Sequence, residues 1–190
     1  MKKLILLSLT TACAALGVHA QGTVTLANTT TTLVTCFPPF GGPPPGVPVP
    51  VGAAKVALYG GYLGASEGQL VQLGPPTLTR PYPGRYSGGI RTNPFVFAGA
   101  MATFQVRAWS AAFETYEEAI AWGHPSVVFV GKGNLFNSST GGAGIPPSIP
   151  VNLAAVTPQL NVYGYCIPEP SIMALALLGV ASALLFRHRT

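Results

Sequence analysis

The sequence predicts an all-β, β-sandwich-like domain with one short helix, set between an N-terminal signal peptide and a C-terminal single transmembrane helix. Three observations predict it. Gly and Pro, 23 and 19 of the 190 residues, punctuate the chain so often that the runs between them are short and β-like. One segment, opened by Thr115, combines helical spacing with start and stop signals. Both ends carry uncharged apolar stretches beside basic residues.

Residues 1–20 have the order of a secretory signal peptide: a basic Met1-Lys2-Lys3, an apolar run over 4–17, and the small-x-small triplet Val18-His19-Ala20. Cleavage between Ala20 and Gln21 is the expectation. A lipoprotein-type cut before Cys13 fits less well, because Thr10 stands where a Leu is required and the apolar core left behind is very short.

Residues 21–166 suit one domain and are long enough for a real core. Strands are expected over 23–27, 33–36, 55–59, 69–73, 95–98, 101–109, 126–130 and 160–165, and eight strands suggest two packed sheets. The Pro- and Gly-rich stretch 38–50 reads as an extended loop of polyproline character, and 141–150 as a second such loop. Over 101–109, Phe104, Val106 and Ala108 alternate with Thr103, Gln105, Arg107 and Trp109, the pattern of a half-buried strand with Arg107 and Trp109 on its outer face. That pair has two readings: displayed to stack on a sugar, or covered by the helix that follows. In the helix, Thr115 and Glu118 form a capping box, Tyr116, Ala119 and Ile120 share a face, and Gly123 with Pro125 closes the element over an end of the sheets.

With Cys13 removed in the signal peptide, Cys36 and Cys166 remain, and in an oxidising compartment one disulfide between them is expected. Closing so long a loop contributes about 4–5 kcal/mol in the chain-entropy picture; two buried free thiols are the alternative.

The net charge of +5 belongs mostly to the ends. Lys2, Lys3, Arg187 and Arg189 supply four of the ten basic residues, leaving Lys55, Arg80, Arg85, Arg91, Arg107 and Lys132 against five Glu. The domain therefore lacks the basic stripe that nucleic-acid binding needs, and no nucleic-acid partner is expected. Charged residues make up 8% of the chain, against about 25% in a typical soluble domain. Surface polarity must come from Thr, Ser, Asn, Gln and backbone.

Acid–base chemistry is poorly supplied. There is no Asp; the carboxylates are Glu67, Glu114, Glu117, Glu118 and Glu169, and His124 is the one His outside the two ends. A Ser/His/Asp triad cannot be built as such, and Glu117 and Glu118, adjacent on a helix, point apart. Cys36, Cys166 and His124 show no metal-ligand spacing, and Gly131-Lys132-Gly133 lacks the phosphate-loop pattern. No catalytic residue, metal or cofactor is expected; a secreted hydrolase is the weakest of the functional readings.

The C-terminal segment 167–190 is the most informative. Pro168-Glu169-Pro170 precedes an uncharged apolar run over 171–186, then Arg187-His188-Arg189. A Pro and a carboxylate suit the first turn of a helix, whose first amides lack acceptors and whose dipole is positive there. Sixteen residues make a helix of about 24 Å, somewhat short of a hydrocarbon core of roughly 30 Å, and Arg187 with Arg189 favours the cytoplasmic side. The expected orientation is N-out, C-in.

The tripeptide, apolar segment and basic terminus, in that order, resemble the PEP-CTERM sorting domain of bacterial exported proteins. The resemblance covers 167–190, and its basic end is sparser than the Arg cluster of many members. It implies recognition by exosortase, a membrane-embedded cysteine protease or transpeptidase, a transient anchor in the bacterial inner membrane, and delivery to the cell surface or an exopolysaccharide matrix. The plain alternative is an uncleaved single-pass anchor. The stretch 104–123 also loosely resembles uncharacterised surface proteins of the same group, with no activity attached. Two classes of function follow: a structural, exopolysaccharide-associated surface protein, which is the first reading, and a carbohydrate-binding module using Tyr59, Tyr62, Tyr82, Tyr86, Trp109, Trp122, Tyr163 or Tyr165.

Overall fold

The computed structural model describes residues 20–37, 46–122, 129–143, 146–158 and 160–163. The signal peptide up to residue 19, His124, and the segment from 164 onward, with Cys166, the sorting tripeptide, the apolar run and both terminal arginines, lie outside the described residues. Among those described, no helix is long and apolar enough to cross a membrane.

Among the described residues, twelve strands and one α-helix make an all-β architecture in two sheets. In the smaller, β1 (Gln21–Ala27) lies between β11 (Val151–Asn152), which runs parallel to it, and β7 (Ser87–Phe97), which runs antiparallel with Val24 opposite Arg91. The larger sheet has the order β3 (Val47–Pro48), β2 (Val34–Phe37), β12 (Leu160–Tyr163), β9 (Val130–Lys132), β8 (Met101–Ser110), β4 (Ala54–Tyr62) and β5 (Val71–Gln72). Beside this path β6 (Thr77–Leu78) pairs with β4 and β10 (Phe136–Ser139) with β8.

Alternation decides the core. Val24 and Leu26 of β1, Val56 and Leu58 of β4, and Phe104 and Val106 of β8 belong to one buried cluster fed by both sheets. Period-two side chains from each sheet point into the same interior, which removes their apolar area from water at roughly 25 cal/mol per Å². At one seam Asn28 replaces apolar contact. Its buried amide donates to the carbonyls of Thr32 (2.9 Å) and Gly84 (2.8 Å) and accepts from the Tyr86 amide (2.9 Å), so one side chain joins the segment 28–32 to 84–86. Gly131 marks a close approach of β9 to β12, where a Cβ would run into the Asn161 carbonyl.

Several predicted elements shift. The strand expected over 95–98 is the end of an eleven-residue β7 that begins at Ser87. Its Gly88, Gly89 and Pro94 read as breakers, yet β7 is an outermost strand of the three-stranded sheet, where Pro costs no ladder bond. The strand expected over 69–73 is a 3-10 turn, Glu67–Gln69, followed by the two-residue β5. Of the strand expected over 126–130, Val130 alone falls in β9, and 126–128 lie outside the described residues. Within the loop predicted over 38–50, Val47–Pro48 pairs with β2. In the loop predicted over 141–150, Gly141 bridges Thr23 and Gly142 bridges Ser148. β8 is not half-buried: every residue from Ala102 to Ser110 is buried.

Candidate functional site

Among the described residues, the second face of β8 carries a cluster in which charge and aromatic rings are buried together. Register places Arg107 opposite Ala57 of β4 and Lys132 of β9, and Trp109 opposite Lys55 and Val130. The small Ala57 leaves room beside Arg107, and Tyr59, two residues along β4, fills it: the guanidinium lies 4.0 Å from the centre of the Tyr59 ring. Tyr116 of α1 (Tyr116–Trp122) also lies against the guanidinium, its ring centre 5.3 Å away.

The polar atoms of Arg107 are all engaged. Nε donates to Gln105 Oε1 (2.8 Å), Nη2 to the Glu67 carbonyl (3.2 Å) and Nη1 to Glu117 Oε1 (3.4 Å). Gln105 in turn donates to the Gly133 carbonyl at 3.0 Å. A planar guanidinium stacked on one ring while forking to three acceptors is an arrangement Lys cannot reproduce. The Glu117 carboxylate is largely solvent-exposed, so this ion pair contributes little by itself, and the stacking and buried hydrogen bonds dominate.

Trp109 is fully buried, its ring edge-on to Tyr116 with centroids 6.1 Å apart. Its indole N–H donates to the Phe113 carbonyl (3.1 Å), which also accepts from Lys55 Nζ (2.9 Å). Lys55 reaches Glu114 as well, at 3.1 Å. The helix is capped as its sequence demands, with a displacement. The Glu118 amide donates to the Thr115 hydroxyl (3.1 Å), but the Glu118 carboxylate accepts from the Glu114 amide (3.0 Å), one residue before the cap. Tyr116 and Ala119 face the sheet, whereas Ile120, expected on that face, is exposed. A helix of seven residues makes barely two turns, too few for a third buried position.

Charge around the cluster is paired. Lys132 Nζ sits 2.6 Å from Glu67 Oε1, and that hydrogen bond holds the Glu67 carboxyl below its ordinary pKa. Burial raises the Tyr59 and Tyr116 hydroxyls above theirs, the Glu117 charge adding to the effect at Tyr59. Among the described residues, no three His, Cys, Asp or Glu converge to hold a metal.

Arg107 and Trp109 thus stand where alternation put them, but they offer no ring to a sugar. Trp109 is enclosed by the helix, and Arg107 stacks on Tyr59 and Tyr116. Of the other aromatics weighed for stacking, Tyr59 and Tyr86 are buried, and Tyr62, Tyr82 and Trp122 are exposed; Tyr165 and the Tyr163 side chain lie outside the described residues. Ala20 is half-buried, its carbonyl accepting from the Ala98 amide at 2.9 Å, and Gln21 begins β1. Cys36 is buried in β2. Sequence reasoning passed over Tyr59 and Gln105 as partners of Arg107; the signal available was the same alternation that placed Arg107, since Gln105 shares its face.

No protein-family model, curated protein or solved structure matches the chain.

The cluster generates a stability prediction. Trp109→Ala is expected to destabilise the domain by about 3–5 kcal/mol, and Arg107→Lys by about 1–3 kcal/mol through acceptors left unpaired. Both would lower the urea midpoint in equilibrium unfolding with little change in slope. A Trp109→Ala midpoint equal to that of the unaltered chain would contradict a load borne by the covered ring.

Proposed function

We propose that the chain is an exported cell-surface or extracellular-matrix protein, anchored transiently by its C-terminal helix and released by an exosortase-type enzyme. The observation that carries this reading is the sequence Pro168-Glu169-Pro170, followed by the uncharged run 171–186 and by Arg187 and Arg189. The domain between the signals is a two-sheet, sandwich-like body whose work is to be displayed beside exopolysaccharide. Its character supports this. Glu67, Glu114 and Glu117 are each tied to a cation and Glu118 to a backbone amide, so the sparse charge serves the fold. Among the described residues, removing Ala20 sacrifices the bond from the Ala98 amide to the Ala20 carbonyl and leaves β1 whole from Gln21.

A disulfide between Cys36 and Cys166 belongs to the same proposal. β12 runs parallel to β2 with Val162 opposite Cys36, and Cys166 follows four residues later in the sequence. The bond would fasten the end of the domain, next to the sorting segment, to a strand near its beginning.

Glu169→Ala is the direct test of sorting. In a host that makes exosortase, the unaltered chain should appear shortened by the tail and released from the membrane, and the variant full-length and membrane-retained. Equal masses and equal retention would leave a plain anchor. For the disulfide, non-reducing peptide mapping of the exported chain should recover the Cys36 and Cys166 peptides joined; recovery of both with free thiols would end that part of the proposal.

A further inference from the structure

Tyr62, the last residue of β4, holds its ring out to solvent beside the loop that leads to β5. Tyr62 to Ala65 form a turn closed by the Ala65 amide donating to the Tyr62 carbonyl at 3.1 Å, with Gly64 at φ +80°, the left-handed value a type II turn requires at its third position. The Gly64 amide donates to the Thr103 hydroxyl (2.8 Å), which donates to Asn137 Oδ1 (2.8 Å), so the turn is tied to both β8 and β10. Beyond it, the Gln69 carbonyl oxygen Oε1 accepts from the Ser66 amide and hydroxyl, both at 2.9 Å, fixing that side chain over the 3-10 turn.

Tyr62, Leu63, Gly64, Ala65 and Gln69 line an open depression of about 310 Å³. Tyr62 is 63% exposed although its ring leans on Phe95 at 5.4 Å and 56°, a contact that steadies it without covering it. The lining contains no Lys, Arg, His, Asp or Glu. A charged ligand would shed hydration here with no counter-charge among the lining residues to meet it, and a purely apolar one would offer no acceptor to the Gln69 Nε2 amide, whose Oε1 is already engaged by Ser66. A pyranose ring satisfies both conditions, with an apolar C–H face for the tyrosine and hydroxyls for the amide. The other exposed Trp and Tyr rings are worse candidates. The Trp122 ring packs at 5.9 Å on Phe113 and borders residues 123–128, which lie outside the described residues, and Tyr82 sits between Pro81 and Pro83.

We infer that this depression binds one ring of an uncharged glycan, stacked on Tyr62 and hydrogen-bonded by Gln69. The inference deepens the matrix-association reading and rests on it for the class of ligand. The loop is held on three sides before any ligand arrives, so stacking costs little ordering entropy.

The test is a chemical-shift titration of the ¹⁵N-labelled full chain, kept in a detergent without a sugar headgroup, with cellohexaose, mannohexaose and xylohexaose, and with oligogalacturonate as the acidic counterpart. At least one neutral hexasaccharide should move amide signals within residues 62–70; Tyr62→Ala should abolish those shifts, and Tyr62→Trp should restore them. The thermal midpoint of Tyr62→Ala, whose ring is mostly exposed, should match that of the unaltered chain, separating lost binding from lost folding. No shifts with any neutral sugar, shifts centred elsewhere, or a response to oligogalacturonate alone would overturn the inference. Processing of the tail is read separately by mass and membrane retention, so the two proposals fail independently.

Discussion

Arg107 has to be buried without losing its charge, and much of the larger sheet is arranged around that requirement. A guanidinium withdrawn from water needs nearly all its donors paired and its faces covered. Here the acceptors come from three places: Gln105 on its own strand, the Glu67 carbonyl in the β4–β5 loop, and Glu117 on α1. The rings come from β4 and α1. One side chain thereby fixes the positions of a loop and a helix that share no backbone ladder with each other. It also lets β8 lie in the middle of the sheet with both faces covered, one by the common core and one by this polar–aromatic cap.

That arrangement explains how a chain so short of charge spends what it has. The described ion pairs, Lys55–Glu114, Arg107–Glu117 and Lys132–Glu67, all border the cap. They fasten the segment before α1 to β4 through Glu114, α1 to β8 through Glu117, and the 3-10 turn Glu67–Gln69 to β9 through Glu67. Away from the cap, the charged side chains among the described residues are Arg80, Arg85 and Arg91, and the rest of the surface polarity comes from hydroxyls, amides and backbone.

How much of this was legible beforehand depends on whether the cause was local. The alternation from Thr103 to Trp109 identified β8 and separated its two faces, because period two is a property of the strand itself. The cap at Thr115 was legible for the same reason, down to the Glu118 amide it receives. What covers the second face was not. Glu67 lies forty residues before Arg107 and reaches it through a hairpin whose register the sequence does not specify. The two-residue strands β3, β5, β6 and β11 exist because a longer neighbour offers free ladder groups, and β10, reading Phe-Asn-Ser-Ser, has little strand propensity of its own. The parallel pairings of β12 with β2 and of β11 with β1 join distant segments and leave no mark in either. The exposed Tyr62 ring could be named from sequence as one aromatic among several, but its separation from buried Tyr59, three residues earlier, depends on where β4 ends.

The central claim is that β8 is locked from both sides, and amide hydrogen exchange under native conditions tests it most directly. If the cap around Arg107 holds as described, the amides of 103–109 should be among the slowest in the chain, and added urea should accelerate them in step with global unfolding. If they exchanged as readily as those of β10, through openings insensitive to urea, one face of β8 would be open to solvent and the account would be wrong.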